Sequence, residues 1–121
     1  MNNWERMKAG RLYNADSKDL EKYHSFGMET CDKFNRTPLW RKKRKQRLLE
    51  KLIPSAKDGG AAIFAPFYCE YGVNIHFGKG CFVNYKCTFL DCAPITLEDG
   101  VWVGANVTIA TPCHPFLSDE R

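Results

Sequence analysis

The spacing of apolar residues changes once along the chain, near residue 60. Before that point it is helical. Asp16 or Ser17 is placed to cap a helix running towards Phe34, since a short polar side chain there accepts free first-turn amides. Leu20, Tyr23, Cys31 and Phe34 fall on one face of that helix. Gly27 occupies the place between them and interrupts the stripe, because a glycine packs nothing and weakens a helix interior. Pro38 suits the first turn of a second helix. That helix reaches about Ile53, with Leu48, Leu49, Leu52 and Ile53 as its apolar face. Pro54 and the Gly59-Gly60 pair end the region.

From Ile63 the chain reads in sixes. Ile63, Cys69, Ile75, Cys81 and Cys87 form one column, and after two extra residues, Ala93 and Pro94, it continues with Ile95, Val101, Val107 and Cys113. A second column stands two places on: Ala65, Tyr71, Phe77, Val83, Phe89, Leu97, Val103 and Ile109. One step further lie mostly small or turn-forming residues, among them Pro66, Gly72, Gly78, Asn84 and Gly104. Alternation alone, as in a β-sandwich, does not produce a six-residue phase. One short strand and one turn per repeat do, and stacked rungs bury together what no single rung can. The pattern predicts a mainly β protein: a parallel β-helix over residues 59–121, preceded by a helical segment over residues 1–58, in one structural unit. Three rungs make a triangular coil, so residues eighteen apart are expected to stack.

The 121 residues, 44% hydrophobic and 26% charged, fit one modest globular domain. There is no run of about 18 apolar residues, so no transmembrane helix is expected. The opening ten residues have no apolar core of a secretory signal. A cytoplasmic protein is expected, without membrane contact, and the Asn-X-Thr triplets at Asn35 and Asn106 read as chance. Of six cysteines, Cys69, Cys81, Cys87 and Cys113 stand in a column otherwise filled by Ile and Val, where a free thiol acts as a small hydrophobe. With no Cys-X-X-Cys pair, neither a metal site nor a disulfide framework is expected. The net charge of +4 is concentrated in Arg41, Lys42, Lys43, Arg44, Lys45 and Arg47. Without interleaved aromatics for base stacking, this block reads as a solvated helix face, with no nucleic-acid partner.

Three stretches carry a resemblance: Glu5-Arg-Met-Lys-Ala-Gly-Arg-Leu-Tyr13 with Asn14-Ala-Asp16; Phe67-Tyr-Cys-Glu-Tyr-Gly-Val-Asn-Ile-His-Phe-Gly78 with Val83-Asn84-Tyr85; and Val107-Thr-Ile-Ala-Thr-Pro-Cys-His114-Pro115. Together with the six-residue repeats they resemble the maltose/galactoside O-acetyltransferase family of hexapeptide-repeat acyltransferases. The resemblance covers nearly the whole chain. It implies a left-handed β-helix, a hand that inverts the usual crossover preference and that the repeats alone do not reveal.

It further implies acetyl transfer from acetyl-CoA to a sugar hydroxyl, with His114 as the general base. A neutral imidazole is a competent proton acceptor near neutral pH. By the six-residue count, His114 faces outward one step after Cys113, in register with Thr96 and His76. The resemblance implies substrate-binding roles for Asn84, Asp91, Glu70 and Asp16, since hydroxyl-rich ligands need fixed acceptors. It also implies a homotrimer with sites between subunits. Family members continue for further coils, which supply most acetyl-CoA contacts, so none of those is assigned to a residue here. Because the sequence stops seven residues after His114, weak acetyl-CoA binding is expected, and a non-catalytic structural or interaction module is the alternative.

Overall fold

A computed structural model describes all residues, Met1–Arg121. Three helices come first. α1 spans Asn3–Lys8 and opens with a capping box in which Asn2 and Glu5 satisfy each other's backbone amides. α2 spans Lys18–Arg36, with Ser17 at its N-cap, and α3 spans Lys42–Leu52. The second helix therefore starts later than Pro38 suggests. Residues 38–41 form a turn closed by the Arg41 amide on the Pro38 carbonyl, and Pro38 stands outside the helix. No helix is long and apolar enough to cross a membrane.

Eight short strands follow: β1 Ala61–Ile63, β2 Phe67–Cys69, β3 Ile75–Phe77, β4 Cys81–Val83, β5 Cys87–Leu90, β6 Ile95–Leu97, β7 Trp102–Val103 and β8 Thr108–Ala110. They pair in parallel as β1-β4-β7, β2-β5-β8 and β3-β6, three faces of a parallel β-helix. The coil length differs from expectation. Ala61 pairs with Cys81, Phe67 with Cys87, Ile75 with Ile95, Phe82 with Trp102 and Thr88 with Thr108, so each turn takes twenty residues, not eighteen. Two extra residues enter at the same corner of each coil, at 70–74 between β2 and β3 and again at 91–94 between β5 and β6.

The first of these inserts shifts the early columns by two. Ile63 stacks beside Val83 and Cys69 beside Phe89. Tyr71 leaves the barrel column altogether and packs with Met7, Leu20 and Cys92 beneath the helical segment. Ile63 and Cys69 are buried all the same, because a shift of two keeps every side chain on its side of a strand. Ala65 falls at a corner and is only half-buried, and at the far end Cys113 is exposed. It lies past the last strand, so its expected inward place is not realised.

The helices close the first coil. Leu48, Leu49, Leu52 and Ile53 join Phe34, Phe67, Ile75 and Phe89 in one core. Two side chains stand in for the missing strand beneath. Asn35 donates to the Phe67 carbonyl at 2.9 Å and accepts the Phe67 amide at 2.8 Å. Ser55 Oγ donates to the Ile75 carbonyl at 3.3 Å and accepts the Phe77 amide at 2.8 Å. Strand edges that would otherwise be left unpaired are thereby satisfied. Gly27 now has a purpose: a Cβ there would fall on the Glu70 carbonyl oxygen, so the interruption in the stripe is where α2 meets the coil backbone to backbone. The basic block forms the polar face of α3, while the Lys45 ammonium donates to the Phe34 and Thr37 carbonyls at the end of α2, a favourable cation at a helix C-terminus.

Candidate active site

A cleft of about 1070 Å3 opens between the N-terminal segment 3–16 and the corner that follows β8; Asp16 lines one wall and His114 the other. These residues lie at opposite ends of the sequence, and the fold brings them to one space.

The first wall is fixed from α2. The Trp4 amide donates to Asp19 Oδ2 at 3.1 Å, and its ring stacks on Tyr23 at 4.3 Å and meets Tyr71 edge-on at 5.1 Å. The segment then folds back on α1, with the Asn14 amide on Asn3 Oδ1 at 2.8 Å. Asn14 Oδ1 in turn accepts the Asp16 amide at 3.0 Å, an Asx turn that presents Asp16. The Asp16 side chain is exposed.

The second wall is held by Thr111. Its hydroxyl accepts the Ala93 amide at 2.9 Å and donates to the Leu90 carbonyl at 2.8 Å, tying the last corner to the coil before it. Pro112 and Pro115 bracket Cys113 and His114 and restrict the backbone. His114 is exposed, and no side chain holds its ring. His76 and Thr96 do pair, but with twenty-residue coils their next partner position is Phe116. His114 stands instead in line with Pro94 and Asn74, in the inserted corner. It is outward-facing because it lies beyond the strand.

The other expected acceptor residues do not line this cleft. Asp91 is fully buried. Its Oδ1 accepts the amides of Glu70 and Tyr71 at 3.1 and 2.9 Å, and its Oδ2 those of Gly72 and Asn74 at 2.8 and 3.2 Å. The carboxylate organises the corner one coil below and has nothing left for a sugar, so its substrate-binding role is withdrawn. Burial pushes its carboxyl above the ordinary range, and the amide donors pull it back. Glu70 pairs with His24 at 2.7 Å, holding α2 to the same corner. Asn84 sits at a different corner, between β4 and β5, where its Oδ1 accepts the Tyr85 amide at 2.8 Å.

Tyr13, Cys92 and Thr111 are among the cleft residues that the sequence did not single out. Burial, then the Cys92 side chain, pushes the Tyr13 hydroxyl up to about 12, and burial raises the Cys92 thiol. Thr111 was legible, since it stands twenty residues after Asp91, but only with the right coil length. An open imidazole and an open carboxylate in one cleft can take a proton from a hydroxyl and orient its neighbours by hydrogen bonding.

Residues 6–57 match the family model of the maltose acetyltransferase hexapeptide capping motif. The chain is 36% identical to nodulation protein L of Rhizobium leguminosarum bv. viciae, over 97% of this chain and 61% of that protein. The structure is similar to that of a maltose O-acetyltransferase from Clostridium difficile, with a TM-score of 0.93 and 32% identity over 100% of this chain and 64% of the other. It is also similar to a galactoside acetyltransferase solved in complex with coenzyme A, with a TM-score of 0.86 and 25% identity over 100% and 60%. The chain thus spans about three-fifths of the length of these relatives. With a capping motif matched over the helices and a structural likeness that runs through the whole chain, this chain is similar along its full length to hexapeptide-repeat O-acetyltransferases of the maltose and galactoside type.

Proposed function

We propose that the chain transfers the acetyl group of acetyl-CoA to a hydroxyl of a sugar of the maltose, glucoside or galactoside type, with His114 as general base. The observation that carries this reading is the meeting of His114 and Asp16 across one open cleft. His114 accepts the proton of the sugar hydroxyl, and Asp16 holds a neighbouring hydroxyl so that the reacting oxygen faces the thioester carbonyl. The new C–O bond forms as the C–S bond breaks. The proton on His114 then returns to the departing thiolate, leaving an acetyl ester and free coenzyme A. No acyl-enzyme is required, so no nucleophilic side chain has to be found. The reading carries with it the left-handed winding of the family, and a reducing, cytoplasmic setting suits six cysteines that are all free thiols.

The reading includes a homotrimer. Asn84 occupies a corner apart from His114, so a site that uses both is completed between subunits. Next to Asn84 runs an exposed aromatic ladder suited to burial there: Trp102, 78% exposed, meets Phe82 edge-on at 6.4 Å, and Phe64 bridges Phe82 and Tyr85 at 5.1 and 5.0 Å. Acetyl transfer to a panel of glucosides, galactosides and maltose tests the activity, with His114→Ala as control. Turnover by the parent and none by a folded variant is expected; equal turnover in both removes His114 from the chemistry. Light scattering tests the assembly, with a mass of three chains expected.

A further inference from the structure

Away from the cleft, two core thiols that the proposed chemistry does not use face each other. Cys31 on α2 and Cys69 on β2 bring their sulfurs to 3.5 Å. Both are buried, at 4% and 8% exposure, yet both line a cavity of about 340 Å3 whose rim is formed by Met28, Asp32, Arg36 and Tyr68, all exposed. A small reagent therefore has a route to them. The other buried cysteines differ: Cys81 and Cys87 donate to the Glu98 and Gly104 carbonyls at 3.2 and 3.1 Å, inside the barrel, and Cys92 lines the cleft.

We propose that Cys31 and Cys69 form a reversible disulfide by exchange with a small disulfide oxidant of the oxidised-glutathione class. The pair differs in acidity in the sense that exchange needs. The two thiols share a hydrogen bond, either being able to donate; that bond lowers the Cys31 thiol, and with burial it raises that of Cys69. The attacking group is the Cys31 thiolate. It displaces one thiolate from the oxidant and leaves a mixed disulfide on Cys31. Cys69 then loses its proton to solvent and attacks the Cys31 sulfur, and the second small thiol departs. Two protein thiols and one small disulfide become one protein disulfide and two small thiols, with two electrons passing to the oxidant. The sulfurs close to the bonded distance of about 2.05 Å.

The crosslink lies at the joint already made by Asn35 and Phe67. It ties α2 covalently to the coil, and the first wall of the cleft is held to α2 by the Trp4–Asp19 hydrogen bond. The redox state of one pair thereby sets how firmly the helical segment is held.

The test uses the full chain with Cys113→Ser, which removes the exposed thiol. It is equilibrated with oxidised and reduced glutathione, quenched in acid, alkylated and mapped by mass. The expected result is a Cys31–Cys69 crosslinked peptide, a protein lighter by two hydrogens, and a thermal midpoint higher by roughly 5–15 °C, all reversed by dithiothreitol. Cys69→Ser should stop the reaction at glutathione on Cys31. Should that variant not fold, the peptide map of the parent still decides. Glutathione on both cysteines without a crosslink overturns the proposal, as does a pair that stays fully alkylatable after equilibration with oxidised glutathione.

Discussion

Asp91 reaches down one coil and accepts the amide of Gly72 at 2.8 Å. The same carboxylate takes the amides of Glu70, Tyr71 and Asn74, so a single buried side chain supplies the acceptors for an inserted corner that has no strand to pair with. Asp91→Ala leaves these donors without partners. Each buried orphan costs about 1–3 kcal/mol, so the variant is expected to lose at least ~3 kcal/mol in denaturant melts, allowing for water at part of the corner. Asp91→Asn keeps one acceptor oxygen and is expected to lose less. Thr111 fills the corresponding place one coil on with a hydroxyl. Thr111→Val at this exposed end should cost no more than about 1 kcal/mol. Equal losses at both positions would contradict this account.

Gly27 is expected to resist substitution although it lies in a helix. On propensity alone, Gly27→Ala gains up to about 1 kcal/mol. The added Cβ, however, meets the Glu70 carbonyl and the Tyr71 Cα, and overpacking against backbone costs about 1–3 kcal/mol. The second effect wins, since a backbone cannot swing aside as a side chain can. Urea titration should show a net loss for Gly27→Ala and a larger one for Gly27→Val. A stabilised Gly27→Ala would mean that α2 does not touch the coil there.

These two residues also show what the sequence could and could not tell. The columns from Ile75 to Leu97, the corners at Gly78, Asn84 and Gly104, and the apolar face of α3 all follow from period and turn chemistry. The coil length did not, because an insert of two residues preserves the inside–outside parity of a strand. Ile63 and Cys69 look inward in either register, and Tyr71 fills the vacant slot with a plausible apolar ring. Only pairing distinguishes the registers. For the same reason the six-residue count places Cys113 inside; the binding role of Asp91 came from the resemblance, and the inserted corner that its carboxylate holds has no signature in the repeat. His114 and Asp16 came from motif resemblance, and their shared cleft depends on α1 folding over the last corner, a tertiary relation with no local signature.

The wall of the cleft should also reveal itself at alkaline pH. The Tyr13 hydroxyl ionises near 10.0 when unperturbed and is raised to about 12 by burial and Cys92. Tyr71, beneath the same segment, is raised as well. A raised folded-state value means that the neutral form is favoured in the native protein. The contribution is complete below pH 10 and is lost as pH rises towards 12. The thermal midpoint is expected to fall across that window, and Tyr13→Phe, which cannot ionise, to fall less steeply. An unchanged slope in Tyr13→Phe would show that the hydroxyl is not shielded there.

His114 and Asp16 are expected to separate in kinetics. A general base acts in the transition state, and its removal lowers kcat by about 10²–10⁴-fold with little change in the KM for the sugar. His114→Asn keeps a polar side chain of similar size and should show that drop. In the proposed reading Asp16 orients a hydroxyl already in the ground state, so Asp16→Asn should raise the sugar KM with a smaller effect on kcat. Both side chains are exposed, so neither change should move the thermal midpoint by more than about 0.5 kcal/mol worth of stability. Opposite behaviour, a KM effect at His114 and a kcat effect at Asp16, would exchange their roles. No effect at Asp16 would mean that the acceptor binds away from the N-terminal wall, and the cleft between segment 3–16 and the last corner would lose its claim to be the sugar site.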